Sequence, residues 1–142
     1  MINKMEIKFL AKSENEGFAR TVIAAFIASL DPTLEEMADV KTAISEAVTN
    51  SIVHGYSSAS GYVFMDCSIE DSTLTVVVKD NGKGIEDVKK AMEPLFTTNT
   101  DAERSGMGFT VMETFMDKVE VESITSVGTK VTMTKQIGKN RL

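Results

Sequence analysis

Glu46, Asn50 and His54 stand four residues apart, so on a helix they form one line. At about 100° per residue, that line runs just beside an apolar stripe of Met37, Val40, Ile44, Val48 and Ser51. A carboxylate and a carboxamide on the border between core and solvent suit the wall of a cleft. Glu46 has the type to take a proton. Asn50 offers a neutral carbonyl oxygen to Mg²⁺, a hard cation that prefers oxygen. The same line also fits a solvated polar face, with His54 near a helix C-terminus where its charge is favourable. Spacing alone leaves both readings open.

A second group, Lys79-Asp80-Asn81-Gly82-Lys83-Gly84-Ile85, follows an apolar strand directly. Gly82 and Gly84 permit positive φ and close approach of backbone to a ligand. Asp80, at the strand end, can accept a hydrogen bond from an exocyclic amine and so discriminate between purines. The plain alternative is a strand-to-helix turn using Asp-Asn-Gly chemistry. A third group, Arg104-Ser105-Gly106-Met107-Gly108-Phe109, closes a long polar segment and opens a helix pattern. Glycines at a helix N-terminus free the first N–H groups to meet an anion, helped by the helix dipole. No Gly-Lys-Ser/Thr follows, so it is not a Walker A loop, and the strand-Gly-x-Gly-x-x-Gly-helix context of a dinucleotide fingerprint is missing. A fourth, Gly128-Thr129, opens the last strand and reads equally as an ordinary hairpin turn.

In this order the four groups resemble the motifs of the GHKL ATP-binding superfamily. Glu46-x-x-x-Asn50 resembles its N box, Asp80-x-Gly82-x-Gly84 its first glycine box, Arg104 to Gly108 its second, and Gly128-Thr129 its closing Gly-Thr. Glu46 to Ser51 followed by His54-Gly55-Tyr56 narrows the resemblance to the stand-alone anti-sigma serine kinases. The segment Ala91 to Thr98 is most similar to their sporulation branch.

The resemblance implies the following roles. Glu46 is the general base, and Asn50 holds Mg²⁺ against the phosphates of ATP. Asp80 accepts from the adenine amino group with support from Thr129. Gly82 and Gly84 line the pocket. Thr97, Thr98, Arg104, Ser105, Gly106, Met107 and Gly108 belong to a lid and phosphate loop, where Arg104 neutralises charge. It also implies two activities, holding a sigma factor (sigma F) away from core RNA polymerase and phosphorylating a serine of an anti-anti-sigma partner, and a homodimer. Two alternatives stand beside this. One is a kinase of the general stress response acting on a different sigma factor. The other is a sigma-binding module that uses ATP without transferring phosphate. Arg20 is a candidate partner contact, although a Glu16–Arg20 pair at i, i+4 accounts for it locally.

These groups need elements to hold them. Met5 to Leu10 alternates as a strand. Ser13 and Glu16 form a capping-box pattern, ahead of a helix with Phe18, Val22, Phe26 and Leu30 on its stripe, widened by Ile23 and Ile27. Asp31-Pro32 stops that helix, and Thr33-Glu36 is a second capping box opening the helix of Glu46 and Asn50. Tyr62 to Glu70 and Thr73 to Lys79 read as a hairpin around Asp71-Ser72. A short helix over Glu86 to Met92, a loop over Glu93 to Arg104, a helix over Phe109 to Met116, and a hairpin of Val119 to Ile124 with Thr129 to Ile137 complete the order. Clustered helices and hairpin-paired strands predict an α+β fold. The resemblance makes it a Bergerat-type two-layer sandwich, with a mixed, mostly antiparallel sheet and helices on one face.

Composition narrows the field. The chain has 142 residues, room for a single domain over residues 1–142. With 15 basic and 21 acidic residues its net charge is −6, unsuited to gripping nucleic acid over a broad surface. One cysteine and one histidine exclude an intrachain disulfide, a thiolate metal cluster and a two-histidine relay. No segment has the length of a membrane span or the pattern of a signal peptide, and the cytoplasm is the expected location.

Overall fold

The computed structural model describes residues 2–55, 61–93 and 100–138, with the backbone alone for 54, 55 and 100–107. Strand β1 (Ile2–Leu10) leads to helix α1 (Glu14–Ile27), a 3-10 turn (Ala28–Leu30) and helix α2 (Leu34–Asn50). After α2 the chain widens into a π-type turn (Ser51–Gly55), then forms β2 (Tyr62–Glu70) and β3 (Thr73–Asp80). The short helix α3 (Val88–Ala91), helix α4 (Thr100–Phe115), β4 (Lys118–Ile124) and β5 (Gly128–Gln136) follow.

The five strands form one sheet in the order β1-β2-β3-β5-β4. All four pairings are antiparallel, where the sequence left room for a mixed sheet. Alternation decides the faces. Met65, Cys67 and Ile69 of β2, with Leu74, Val76 and Val78 of β3, are buried against the helices. The intervening residues face away. Among the helices, α2 lies between α1 and α4 and touches both. Its Val40, Ala43, Ile44, Ala47 and Val48 are fully buried, as its apolar stripe requires.

Local chemistry explains several ends. Thr33 caps α2 with a complete capping box: Glu36 N–H donates to its hydroxyl at 3.0 Å, and the Glu36 carboxylate accepts from Thr33 N–H at 2.9 Å. Asp31 ends the preceding turn in the left-handed region at φ 49°. Asp71 takes φ 55° in the two-residue hairpin turn.

Three expectations need correction. The Ser13–Glu16 capping box does not form. Ser13 already has helical dihedrals and caps nothing with its hydroxyl. The Glu16 carboxylate instead accepts from the Ser45 hydroxyl of α2 and pairs with Arg20. The stripe of α1 is rotated as well. Ala19, Ile23 and Ile27 are fully buried, while Phe18 is 53% exposed, because the small Ala19 lets α1 settle closely on its neighbours. Finally, α4 begins at Thr100 rather than Phe109. Thr100-Asp101-Ala102-Glu103-Arg104 contains helix formers and two acidic residues suited to a first turn, enough to carry the helix back through the stretch read as loop.

Candidate functional site

The site lies where the C-terminal end of α2 meets α4 and the end of β3. Glu46 and Asn50 sit on the half-buried edge of α2, as the line beside the apolar stripe predicts. Both point at Gly108 of α4. A Cβ on Gly108 would lie 3.0 Å from Asn50 Nδ2, 3.3 Å from Asn50 Oδ1 and 3.2 Å from Glu46 Oε2. Any larger residue would push against both polar groups. The carboxylate and the carboxamide therefore converge on one point, where they pack against the glycine. Asn50 Nδ2 is buried without a hydrogen-bond partner. Such an orphan costs about 1–3 kcal/mol, so the position suits a ligand that supplies the missing atom.

The second part of the site is a buried acid. Asp80 is 5% exposed at the end of β3. Its carboxylate accepts from Gly82 N–H at 2.9 Å, from the Ser51 hydroxyl and from Thr129 N–H. A carboxylate has about four acceptor directions, so the protein fills three. Burial pushes the Asp80 pKa above its ordinary value, and the three donors pull it partly back. That leaves acceptor capacity for one more N–H.

Tight backbone contacts hold this acid in place. Gly128 (φ 146°) runs so close to the Asp80 carbonyl that a side chain there would overlap it. Gly84 (φ 78°) is pressed in the same way against the carbonyl of Ile124 in the β4–β5 turn. Ser126 N–H donates to the Lys83 carbonyl at 2.6 Å. The first glycine box is thus bound to the last hairpin as one rigid corner.

The corner contains two residues that sequence reasoning missed. Ser51 looked like part of the apolar stripe of α2, yet it lies buried under Asp80 as a donor. A hydroxyl amid an apolar stripe was the available signal. Ser123 of β4 hydrogen-bonds to Ile85 N–H, to the Gly128 carbonyl and to the Thr129 hydroxyl. No local pattern marks it, because its partners come from other strands and loops.

Other expected residues fall elsewhere. Gly106 and Gly108 lie inside α4 rather than ahead of it. Thr97 and Thr98 lie outside the described residues, as do the side chains of His54, Arg104, Ser105 and Met107. Arg20 pairs with Glu16 at 3.4 Å on the exposed side of α1. Cys67 is buried in the core with its thiol pKa pushed up to about 12, so it stays a neutral thiol.

Residues 9–135 match the model of the histidine kinase-like ATPase domain. The chain is 63% identical over 139 residues to the anti-sigma F factor of Caldanaerobacter subterraneus subsp. tengcongensis, spanning 98% of this chain and 97% of that protein. It is 61% identical over 134 residues to the anti-sigma F factor of Clostridium acetobutylicum, spanning 94% of each. The chain belongs to the histidine kinase-like ATPase domain family, among the anti-sigma F factors. The fold agrees. The solved RsbU and RsbW domains of a Mycobacterium tuberculosis protein superpose with a TM-score of 0.69 at 19% identity, over 95% of this chain and 32% of that one. A blue-light activated histidine kinase of Erythrobacter litoralis gives 0.59 at 23% identity, over 78% of this chain and 33% of its own.

Membership in an ATPase family calls for an ATP site, and the residues fit one. The unpaired Asn50 amide suits a phosphate oxygen. Turned half a revolution about its terminal bond, the same group offers its carbonyl oxygen to a cation. Among the described residues no three His, Cys, Asp or Glu side chains converge as a metal cage. The spare acceptor capacity of Asp80 suits an amino group.

Proposed function

We propose that the chain is an anti-sigma factor that binds the sporulation sigma factor sigma F and keeps it from core RNA polymerase. In the same reading it is a protein-serine kinase that phosphorylates an anti-anti-sigma partner. The observation that carries the kinase reading is the convergence of Glu46 and the unpaired Asn50 on Gly108. The anti-sigma F relatives at 57–63% identity favour sigma F over a stress sigma factor.

Mg·ATP, when bound, supplies the phosphoryl group and much of the charge neutralisation. Glu46 orients the serine hydroxyl of the partner and takes its proton at the carboxylate. Asn50 holds the metal. Asp80 accepts from the adenine amine, with Thr129 supporting it, and Gly82 and Gly84 form the wall beside it. Thr97, Thr98, Arg104, Ser105, Gly106, Met107 and Gly108 form the lid and phosphate loop. For Gly106 and Gly108 to donate N–H groups to phosphate, the first turns of α4 must release them. Two glycines within a helix cost about 1 kcal/mol each relative to alanine, so that release is inexpensive. Phosphoryl transfer depends on such positioning and charge neutralisation more than on covalent chemistry.

One domain over residues 1–142 carries both activities as a cytoplasmic homodimer. Its net charge of −6 favours holding a protein over holding nucleic acid. Among the described residues, no helix is long and apolar enough to cross a membrane.

Glu46→Ala tests the assignment. Phosphotransfer to the purified anti-anti-sigma protein should fall by about 10²–10⁴-fold, the usual contribution of a general base, while ATP binding survives. An unchanged rate would remove Glu46 from the mechanism. A wild-type chain that captures sigma F but never labels the partner would leave a binding module without kinase activity.

A further inference from the structure

Ser123 has more hydrogen-bond partners than a serine on an edge strand needs. Its Oγ accepts from Ile85 N–H at 2.7 Å, lies 3.1 Å from the Gly128 carbonyl and 2.9 Å from Thr129 Oγ1. A serine hydroxyl has one hydrogen and two lone pairs. The Gly128 carbonyl can only accept, so the Ser123 hydrogen goes there. The Ile85 N–H fills one lone pair. The other can be used only if Thr129 donates its own hydroxyl hydrogen to Ser123. All three bonds are made in that one arrangement.

Thr129 lies opposite Asp80 on one side and opposite Ser123 on the other. Asp80, Thr129 and Ser123 thus form one row on the helix-facing side of the sheet. With its hydrogen directed at Ser123, the Thr129 hydroxyl has only lone pairs left for the site. Asp80 likewise offers only an acceptor. The corner then presents two acceptor oxygens and no rotatable donor.

We propose that Ser123 is a positioning residue that locks the Thr129 hydroxyl as an acceptor and so makes the base pocket select a 6-amino purine over a 6-oxo purine. This inference rests on the ATP reading above. A 6-oxo purine brings a lone pair where the 6-amino purine brings an N–H, and a locked Thr129 cannot turn a hydrogen to meet it. Freed from Ser123, Thr129 could donate to that carbonyl and recover part of the lost binding.

Equilibrium binding of ATP and of inosine triphosphate, measured by calorimetry on the full chain, tests the inference. Wild type should prefer ATP. Ser123→Ala should reduce the ATP-to-inosine-triphosphate preference about tenfold, the size of one hydrogen bond. Ser123→Thr, which keeps the hydroxyl, should restore the preference to within about twofold, and Ser123→Ala added to Thr129→Val should leave it unchanged within the same margin. A Ser123→Ala variant that weakens both nucleotides equally overturns the inference and leaves the ATP reading standing. So does a Ser123→Thr variant that loses the preference while remaining folded. A wild-type chain that binds neither nucleotide overturns both.

Discussion

Two neighbouring rows of side chains cross the helix-facing side of the sheet, and they differ in kind. Ile7, Met65, Val78, Val131 and Val121 form one row, strand by strand. Phe9, Val63, Asp80, Thr129 and Ser123 form the next, one pleat further along. Both rows begin with apolar residues on β1 and β2. On β3, β5 and β4 the first stays apolar and the second turns to oxygen.

The difference teaches where a buried carboxylate can live. In the first row the backbone groups are engaged in the ladder and the neighbours are Met and Val, so a charge would find no donor. The second row lies at the strand ends, where loops begin. There Gly82 and Thr129 offer N–H groups and Ser51 a hydroxyl, and Asp80 is buried with three donors. The polar row is a site because the chain turns there.

The largest expected effect comes from moving a charge by one row. Val78→Asp places a carboxylate at a fully buried position of the apolar row. It should cost about 3–5 kcal/mol of stability, as an uncompensated buried charge does, read as a lower urea midpoint. A midpoint equal to wild type would show that the two rows are not different in kind.

Asp80→Asn should do the opposite, leaving the fold largely intact and lowering ATP affinity about tenfold to hundredfold, the worth of a hydrogen bond to a charged group. Its pH dependence has a definite sign. Burial raises the Asp80 pKa, so the folded chain holds a proton more readily than the unfolded chain. Stability from this residue therefore rises as pH falls from neutral toward the ordinary aspartate range. Wild type should gain on Asp80→Asn in urea unfolding as pH falls from neutral toward the ordinary aspartate range. A gap that moves the other way would mean that the donors outweigh burial.

The smallest effect lies one residue away, on the opposite face. Lys79 pairs with Asp66 at 3.0 Å, and the two side chains are 43% and 33% exposed. Solvent screens such a pair, so a double-mutant cycle of Lys79→Ala and Asp66→Ala should give a coupling of about 0–1 kcal/mol. A coupling of several kcal/mol would mean that the outer face is not solvated as its exposure indicates.

Much of this was legible in the residues themselves. The hairpin of Tyr62 to Glu70 with Thr73 to Lys79 formed as read, because a two-residue turn and its flanking strands are local in sequence. The Thr33–Glu36 box formed because both residues lie within one turn. Glu46 and Asn50 were placed on the edge of α2 by helical period alone, and the structure keeps them there. The same local logic failed at Ser13. The identical pattern was available, but Glu16 found Ser45 on the neighbouring helix. It failed also for the centre of the α1 stripe, where Phe18 is left 53% exposed, and for the start of α4.

The sequence by itself determined the strands and hairpins, most of the helices and the residues able to do chemistry, since these follow from interactions within a few residues. Only the tertiary structure decided which donors meet which acceptors. Asp80 is completed by Ser51 from α2's end and Thr129 from β5, Asn50 is left unpaired against Gly108 of α4, and the Thr129 hydroxyl is answered by Ser123 of β4. A hydrogen bond requires its two ends within about 3 Å of each other. For groups far apart along the chain, only packing can bring them to that distance.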